Sequence, residues 1–148
     1  MRRRLFLSAL AALLLMPAIS HAGKDSDALL QFGLIGNWSL DCQKPPSPTN
    51  PFMSFTPSTA GQPTRQIITG KPQYDSLVPI SGAEMLDATH LRLSYPQGSV
   101  MITVTLLKEQ QRRIRPYEAV ASDGTVSVSG GNVKASGLPT NWLLKCAG

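Results

Sequence analysis

The sequence has few of the residues that usually carry catalysis or bind metals. Its 148 residues include only two cysteines and two histidines, and aromatic residues make up 6%. His21 lies in an N-terminal leader, so the remaining set is two cysteines and one isolated histidine, which falls short of a tetrahedral zinc site. The two cysteines lack the C-x-x-C spacing of a redox pair. The acidic residues are dispersed and lack the spacing of a metal-binding loop. We therefore predict no metal and no cofactor.

Catalytic signatures are also missing. No G-x-S-x-G motif or other nucleophile signature is present. His90, Asp75, Asp87 and the many serines would allow a Ser-His-Asp set by composition. However, a single histidine beside the start of a strand is more typical of a surface or turn residue. We therefore predict a protein that is not an enzyme.

One long apolar run is present, and it lies at the N-terminus. Three arginines at positions 2–4 precede an apolar stretch from Leu5 to Met16, and small residues follow up to Ala22. This pattern is typical of a cleavable signal peptide. The stretch of 12 residues is shorter than the roughly 20 that span a membrane, although a retained anchor is the competing interpretation. We predict a signal peptide over residues 1–22, one β-rich domain over 23–148, and a periplasmic or secreted protein with no stable membrane span.

The charge of the domain is small once the leader is removed. The chain has 14 basic and 9 acidic residues, and the leader contains three of the arginines and none of the acids. Eleven basic residues against nine acidic ones leave a net charge of +2. This mild surplus gives no reason to expect nucleic-acid binding.

The two cysteines lie in matching sequences near the two ends of the domain. Cys42 closes Trp38-Ser39-Leu40-Asp41-Cys42, and Cys146 closes Trp142-Leu143-Leu144-Lys145-Cys146, so both read W-x-L-x-C. In an exported protein such a pair predicts a disulfide. Because alternate side chains of a strand share a face, we expect Trp38 and Trp142 to mark one core. The first and last strands should then lie side by side.

Short apolar runs separated by turn residues dominate the rest of the chain. We predict an all-β fold, a small antiparallel barrel or sandwich of about eight strands with one disulfide, and we favour the barrel. A short helical turn is expected at Ala28–Phe32. The candidate segments for these strands are Ile35–Cys42, Phe52–Thr56, Arg65–Thr69, Ser76–Ser81, Met85–Ala88, Leu91–Tyr95, Val100–Leu107, Arg112–Val120, Thr125–Val128, Val133–Ser136 and Asn141–Cys146.

Two features are candidates for binding a ligand or a partner. Strand alternation places Arg113, Arg115 and Tyr117 on one face, where they would contact an acidic ligand or protein; a solvated outer face is the simpler interpretation. The proline-rich segment 43–63 is either a docking loop or a structural loop pinned by its prolines.

Two resemblances rest on particular residues. Gly36-Asn37-Trp38 is a G-x-W at the first strand, which resembles the opening of lipocalin-like barrels, where the tryptophan plugs one end, and this resemblance favours a lipocalin-like barrel. In lipocalins a late arginine packs on that tryptophan, and the last strand here offers Lys145. A wider pattern has a G-x-W-x-x-D-C start (Gly36, Trp38, Asp41, Cys42) and a W-x-x-x-C end (Trp142, Cys146). This pattern is similar to that of small exported proteobacterial proteins of unassigned function.

Two classes of function agree with these observations. The first is an exported binding module for a small ligand in the barrel or for an envelope protein partner. The alternative is a protease inhibitor that resembles small periplasmic barrels and acts through an N-terminal arm. For that alternative, deletion of Gly23–Phe32 should abolish inhibition and leave the fold intact.

Overall fold

The computed structural model describes residues 21–58, 61–110 and 112–147. The predicted signal peptide lies outside these residues except for His21 and Ala22. Within these residues one α-helix, α1 (His21–Phe32), precedes eleven strands, and a short 3-10 helix (Pro72–Tyr74) lies between the third and the fourth strand. The strands are β1 (Gly36–Ser39), β2 (Phe52–Thr56), β3 (Thr64–Ile68), β4 (Ser76–Pro79), β5 (Gly82–Met85), β6 (His90–Gln97), β7 (Val100–Glu109), β8 (Arg113–Ala121), β9 (Val126–Ser129), β10 (Asn132–Val133) and β11 (Leu143–Lys145).

The strands form one antiparallel sheet that curls into a half-barrel. The order across the sheet is β4-β3-β2-β1-β11-β8-β7-β6-β5, and β9 and β10 extend it beside β8. The strands β4 and β5 lie at opposite ends of this order but are consecutive in the chain. Between them, the amide of Ile80 donates to the Pro63 carbonyl at 2.8 Å and that of Ser81 donates to the Ser94 carbonyl at 2.8 Å. One stretch of chain therefore bridges both edges of the sheet, which confirms the predicted all-β, barrel-like fold.

Most strands lie where the sequence predicts them. The strand β2 has the predicted bounds. The longest strand pairings in the sheet are those of β6 with β7 and of β7 with β8. The expectation for Met85–Ala88 is wrong, because the strand is Gly82–Met85 and Asp87 closes the following turn. The strand β10 is also shorter than expected, because the amide of Gly137 donates to the Val133 carbonyl and turns the chain.

The helix is longer than the expected single turn and covers one end of the sheet. Its side chains Leu29 and Phe32 are fully buried in the core, together with Leu34. Gly33 ends the helix at φ +78°, and the amide of Leu34 reaches back to the Leu29 carbonyl at 2.9 Å, a Schellman ending. Because α1 supplies core side chains, we expect deletion of residues 23–32 to unfold the domain. The burial of Leu29 and Phe32 argues against the expectation that this segment can be removed with the fold intact.

Two lysines anchor the C-terminal end of α1 to the sheet. The ammonium of Lys145 donates to the Gly33 carbonyl at 2.7 Å and lies 5.4 Å from the Trp38 ring centre. The ammonium of Lys108 donates to the Phe32 carbonyl at 2.8 Å, and burial, followed by the charge of Lys145, lowers its pKa. Both charges complement the negative end of the helix dipole. Trp38 is fully buried beneath them, and its Nε1 donates to the Leu34 carbonyl at 2.7 Å.

The disulfide between Cys42 and Cys146 is present, with a Cα–Cα distance of 5.3 Å. The strands β1 and β11 are neighbours, as expected, but Trp142 does not share the core with Trp38. Trp38 pairs with Lys145, and Leu143 packs against the core. Residues alternate along a strand, so Trp142 and the exposed Leu144 face outward. The matching W-x-L-x-C sequences therefore present opposite faces, which corrects the expectation for Trp142.

None of the helices among the described residues is both long enough and apolar enough to cross a bilayer.

Candidate functional site

A small cavity lies inside the curled sheet. Its volume is about 70 Å³. Strands from both halves of the sheet line it with mostly apolar side chains: Met53, Phe55, Arg65, Leu93, Tyr95, Val104, Leu106 and Pro116. An engineered cavity of roughly 150 Å³ is large enough for benzene, so this one admits a group smaller than an aromatic ring.

Arg65 is the charged residue in this lining. It lies on β3 between Phe55 and Val78, and its guanidinium carbon is 4.5 Å from the centre of the Tyr95 ring. Burial lowers its pKa, because desolvation disfavours the charged form. None of the ion pairs among the described residues includes Arg65. Arg65 is half-buried, so its charge is partly removed from water in a mostly apolar lining that contains no carboxylate.

A larger apolar groove of about 380 Å³ opens next to the cavity. Met53 and Pro116 line both spaces, so the groove and the cavity are adjacent. The rest of the groove lining comes from the loop after β1 and from the last third of the chain: Leu40, Pro51, Val128, Val133, Pro139, Thr140, Asn141 and Leu143.

The groove exists because β8 is paired with two different strands along one of its edges. Its first residues, Arg113 and Ile114, pair with β11, whereas Ala119 and Val120 pair with β9. Pro116 lies between these two pairings and has no amide hydrogen for a ladder bond. Its carbonyl instead accepts from the Thr140 hydroxyl at 2.7 Å. The sheet therefore separates locally beside Pro116, and apolar side chains line the opening.

Asn50 holds the loop that forms one wall of the groove. This residue is buried, and its Oδ1 accepts from the Ser39 hydroxyl at 2.9 Å and from the Asp41 amide at 3.0 Å. Its Nδ2 donates to the Asp41 carbonyl at 3.0 Å. The neighbouring Leu40 and Pro51 both line the groove. Asn50 was not predicted as a functional residue, since an asparagine among prolines gives no signal beyond that of a turn.

The predicted basic residues Arg113 and Arg115 come together on the outer face of β8. Their guanidinium carbons lie 5.0 Å and 4.7 Å from the centre of the Trp142 ring. Arg113 also forms an ion pair with Glu109. Arg115 packs against Gly131, and its buried Nε has no hydrogen-bond partner within the described part of the chain. The two arginines and Trp142 form a stack, which we call the Arg–Trp stack.

Tyr117, the third predicted contact, does not join this stack. Its ring lies edge-on to His90, with the ring centres 5.4 Å apart. The Nδ1 of His90 is 2.9 Å from an Asp87 oxygen. Asp87 also accepts hydrogen bonds from the backbone and the hydroxyl of Thr89, which lower its pKa to about 2. These contacts close the turn before β6. Among the described residues, no serine or cysteine forms a hydrogen bond with His90.

Beside the Arg–Trp stack, a shallow basic depression of about 530 Å³ borders the disulfide. Its lining includes the cations Arg112, Arg113 and Lys145, together with Cys42, Gln110 and Leu144. Within the described part of the chain, no group of three His, Cys, Asp or Glu side chains could hold a metal ion.

No protein-family model, curated protein or solved structure matches this chain. The chain presents two candidate surfaces, which are the apolar groove with its inner cavity and the Arg–Trp stack with its basic depression.

Proposed function

We propose that this protein is an exported, non-enzymatic binding module that holds a small amphipathic ligand in the apolar groove. The observation that carries the proposal is the adjacency of the groove and the inner cavity through Met53 and Pro116. Ligand sites are typically apolar clefts of roughly 300–1,000 Å³ with a few polar groups that fix orientation. The groove, at about 380 Å³, falls in this range.

The size of the inner cavity argues for a divided ligand. A volume of about 70 Å³ is too small for a whole ligand, whereas the groove can accommodate an apolar body. A ligand that lies in the groove and inserts only one small end would use both spaces. This differs from a lipocalin-like carrier with a large central cavity.

The proposed location is the periplasm or the exterior of the cell. The N-terminal pattern of arginines, an apolar run and small residues supports export. The disulfide between Cys42 and Cys146 supports it independently, because such bonds persist in oxidising compartments.

A pair of matched variants tests the groove. Val133→Trp fills it, because Val133 is a half-buried lining residue. Val126→Trp adds the same ring on β9, where Val126 is exposed and lies outside the lining. Binding of the uncharged fluorescent probe N-phenyl-1-naphthylamine is measured by titration, and thermal unfolding checks that both variants fold.

We expect Val133→Trp to weaken probe binding at least tenfold and Val126→Trp to leave it unchanged. Native mass spectrometry of protein isolated gently from its own cells should also show an added mass that unfolding releases. Equal probe binding by the two folded variants would contradict the groove as the binding site.

The Arg–Trp stack supports a second candidate, an acidic envelope protein as partner. Tryptophan and arginine are enriched among residues that dominate binding energy, and the basic depression would attract acidic groups. Charge reversal of Arg113 and Arg115 should abolish capture of the partner in a crosslinking experiment. The same change at the exposed Arg92, which pairs with Glu84, serves as the control. Unchanged crosslinks in the double variant would refute this candidate.

A further inference from the structure

We propose that the ligand of the groove carries a carboxylate that binds the guanidinium of Arg65 in the inner cavity. This inference rests on the proposed function, and it adds the chemical class of the ligand: a carboxylate with an apolar tail.

The guanidinium of Arg65 has no negatively charged partner among the described residues. Two other cations near the core, Lys108 and Lys145, donate to the carbonyls at the end of α1. Arg65 has no carboxylate partner and donates no side-chain hydrogen bond among the described residues, and its guanidinium lies over the ring of Tyr95. Arg65 is half-buried, so its guanidinium has lost part of its hydration without gaining an ion pair, which is unfavourable. A bound carboxylate would supply the missing ion pair.

Arg65 lies in the cavity that adjoins the groove. Arg65, Met53 and Pro116 line the same cavity, and the latter two also line the groove. A ligand entering from the groove would therefore pass two apolar side chains before it meets the guanidinium. The polar end must be the inner end, and the apolar tail remains outside.

The size of the cavity and the shape of the guanidinium both favour a carboxylate. A guanidinium presents a planar fork of donors that matches a carboxylate bidentately. The cavity of about 70 Å³ suits such a small planar group. A phosphate monoester is larger and carries more charge, and Arg65 is the one cation in the described lining. The site therefore fits a carboxylate better than a phosphate.

The test compares decanoate with decan-1-ol, which has the same tail but a neutral head. The first variant, Arg65→Met, removes the guanidinium and keeps an unbranched side chain of similar length. The second, Arg92→Met, removes an exposed arginine from the outer face. Affinity for each probe is measured by isothermal titration calorimetry, and thermal unfolding is followed for every variant.

We expect Arg65→Met to weaken decanoate binding roughly 10- to 100-fold, because a charge-assisted hydrogen bond to a carboxylate is lost. Decanol binding should change less than threefold, and Arg92→Met should leave both probes unaffected. The unliganded Arg65→Met protein should be at least as heat-stable as the parent, since it no longer contains an unpaired cation.

The contrary results separate the two proposals. Equal loss of decanoate and decanol binding, or no loss of either, would overturn the role of Arg65 and leave the groove as a binding site. Absence of binding by both probes to the parent protein would contradict the proposed function as well. A marked fall in thermal stability of Arg65→Met would indicate that Arg65 is structural.

Discussion

Replacing Asn50 with alanine should destabilise the domain more than the loss of one loop residue would normally do. Three hydrogen bonds of 3.0 Å or less join its side chain to Ser39 and to both backbone groups of Asp41. Each is worth about 1 kcal/mol net, and a buried donor left unpaired costs about 1–3 kcal/mol. The Ser39 hydroxyl is fully buried, so it would be left without its acceptor. We expect a loss of about 3 kcal/mol.

That loss corresponds to a fall of roughly 10 °C in the unfolding midpoint of a domain of this size. Chemical denaturation in urea measures the free energy, and a Ser39→Ala and Asn50→Ala double-mutant cycle isolates their hydrogen bond, with an expected coupling of about 1 kcal/mol. Asn132→Ala is the control, because Asn132 is exposed and its amide donates one bond, to the Gly130 carbonyl at 3.2 Å. We expect it to cost less than about 0.5 kcal/mol.

The reasoning would be refuted if Asn50→Ala lost no more free energy than Asn132→Ala. A destabilisation that is fully additive with Ser39→Ala would refute the hydrogen-bond explanation specifically. Because Leu40 and Pro51 line the groove beside Asn50, we also expect the folded fraction of Asn50→Ala to bind the fluorescent probe more weakly.

Three further predictions concern the disulfide, the Arg–Trp stack and the turn before β6. Replacing Cys42 and Cys146 with serine removes a link across 104 residues and should cost up to about 4 kcal/mol; an unchanged urea midpoint would contradict a stabilising role. Gly131→Ala places a Cβ 3.1 Å from the Arg115 guanidinium, whereas Gly130→Ala meets nothing within 4 Å, and both glycines have positive φ. Gly131→Ala should therefore be the more destabilising and should alter Trp142 fluorescence; equal losses would argue against the tight packing. The folded pKa of Asp87, about 2, lies below its unfolded value of about 4. Its stabilisation is therefore present above pH 4 and lost as the pH falls through 2. The stability gap between the parent and Asp87→Asn should close in acid, and a gap that is constant from pH 7 to pH 2 would contradict this.

The alternation of apolar residues predicted the sheet well because one face of each strand must pack on the core. Val104 and Leu106, two residues apart in the predicted strand Val100–Leu107, are both buried in the core. The disulfide followed from two cysteines in a chain predicted to be exported. These features depend on local pattern and composition, which the sequence contains directly.

The predictions failed where the answer depends on how strands pair. The two W-x-L-x-C sequences look equivalent, but the register that pairs Trp38 with Lys145 turns Trp142 outward. Nothing in either pentapeptide specifies that register. The length of α1 was also missed, because its burial depends on contacts such as the bond from the Ala83 amide to Asp25, 58 residues apart.

The candidate site was predicted only in part. Arg113 and Arg115 were singled out as a pair, and they do meet on Trp142. Arg65 and Asn50 were not singled out, since one arginine in a short strand resembles a solvated residue. Their significance arises from a cavity and a loop that form only in the folded chain.

Methyl NMR of labelled methionines tests the central claim most directly. Beyond the predicted leader the chain contains three methionines, and among them Met53 lines both the groove and the inner cavity, whereas Met85 and Met101 line neither. During titration with decanoate, we predict a saturable shift of the Met53 methyl signal and little change at the other two. An unmoved Met53 signal, or equal shifts at all three methionines, would contradict binding in the groove.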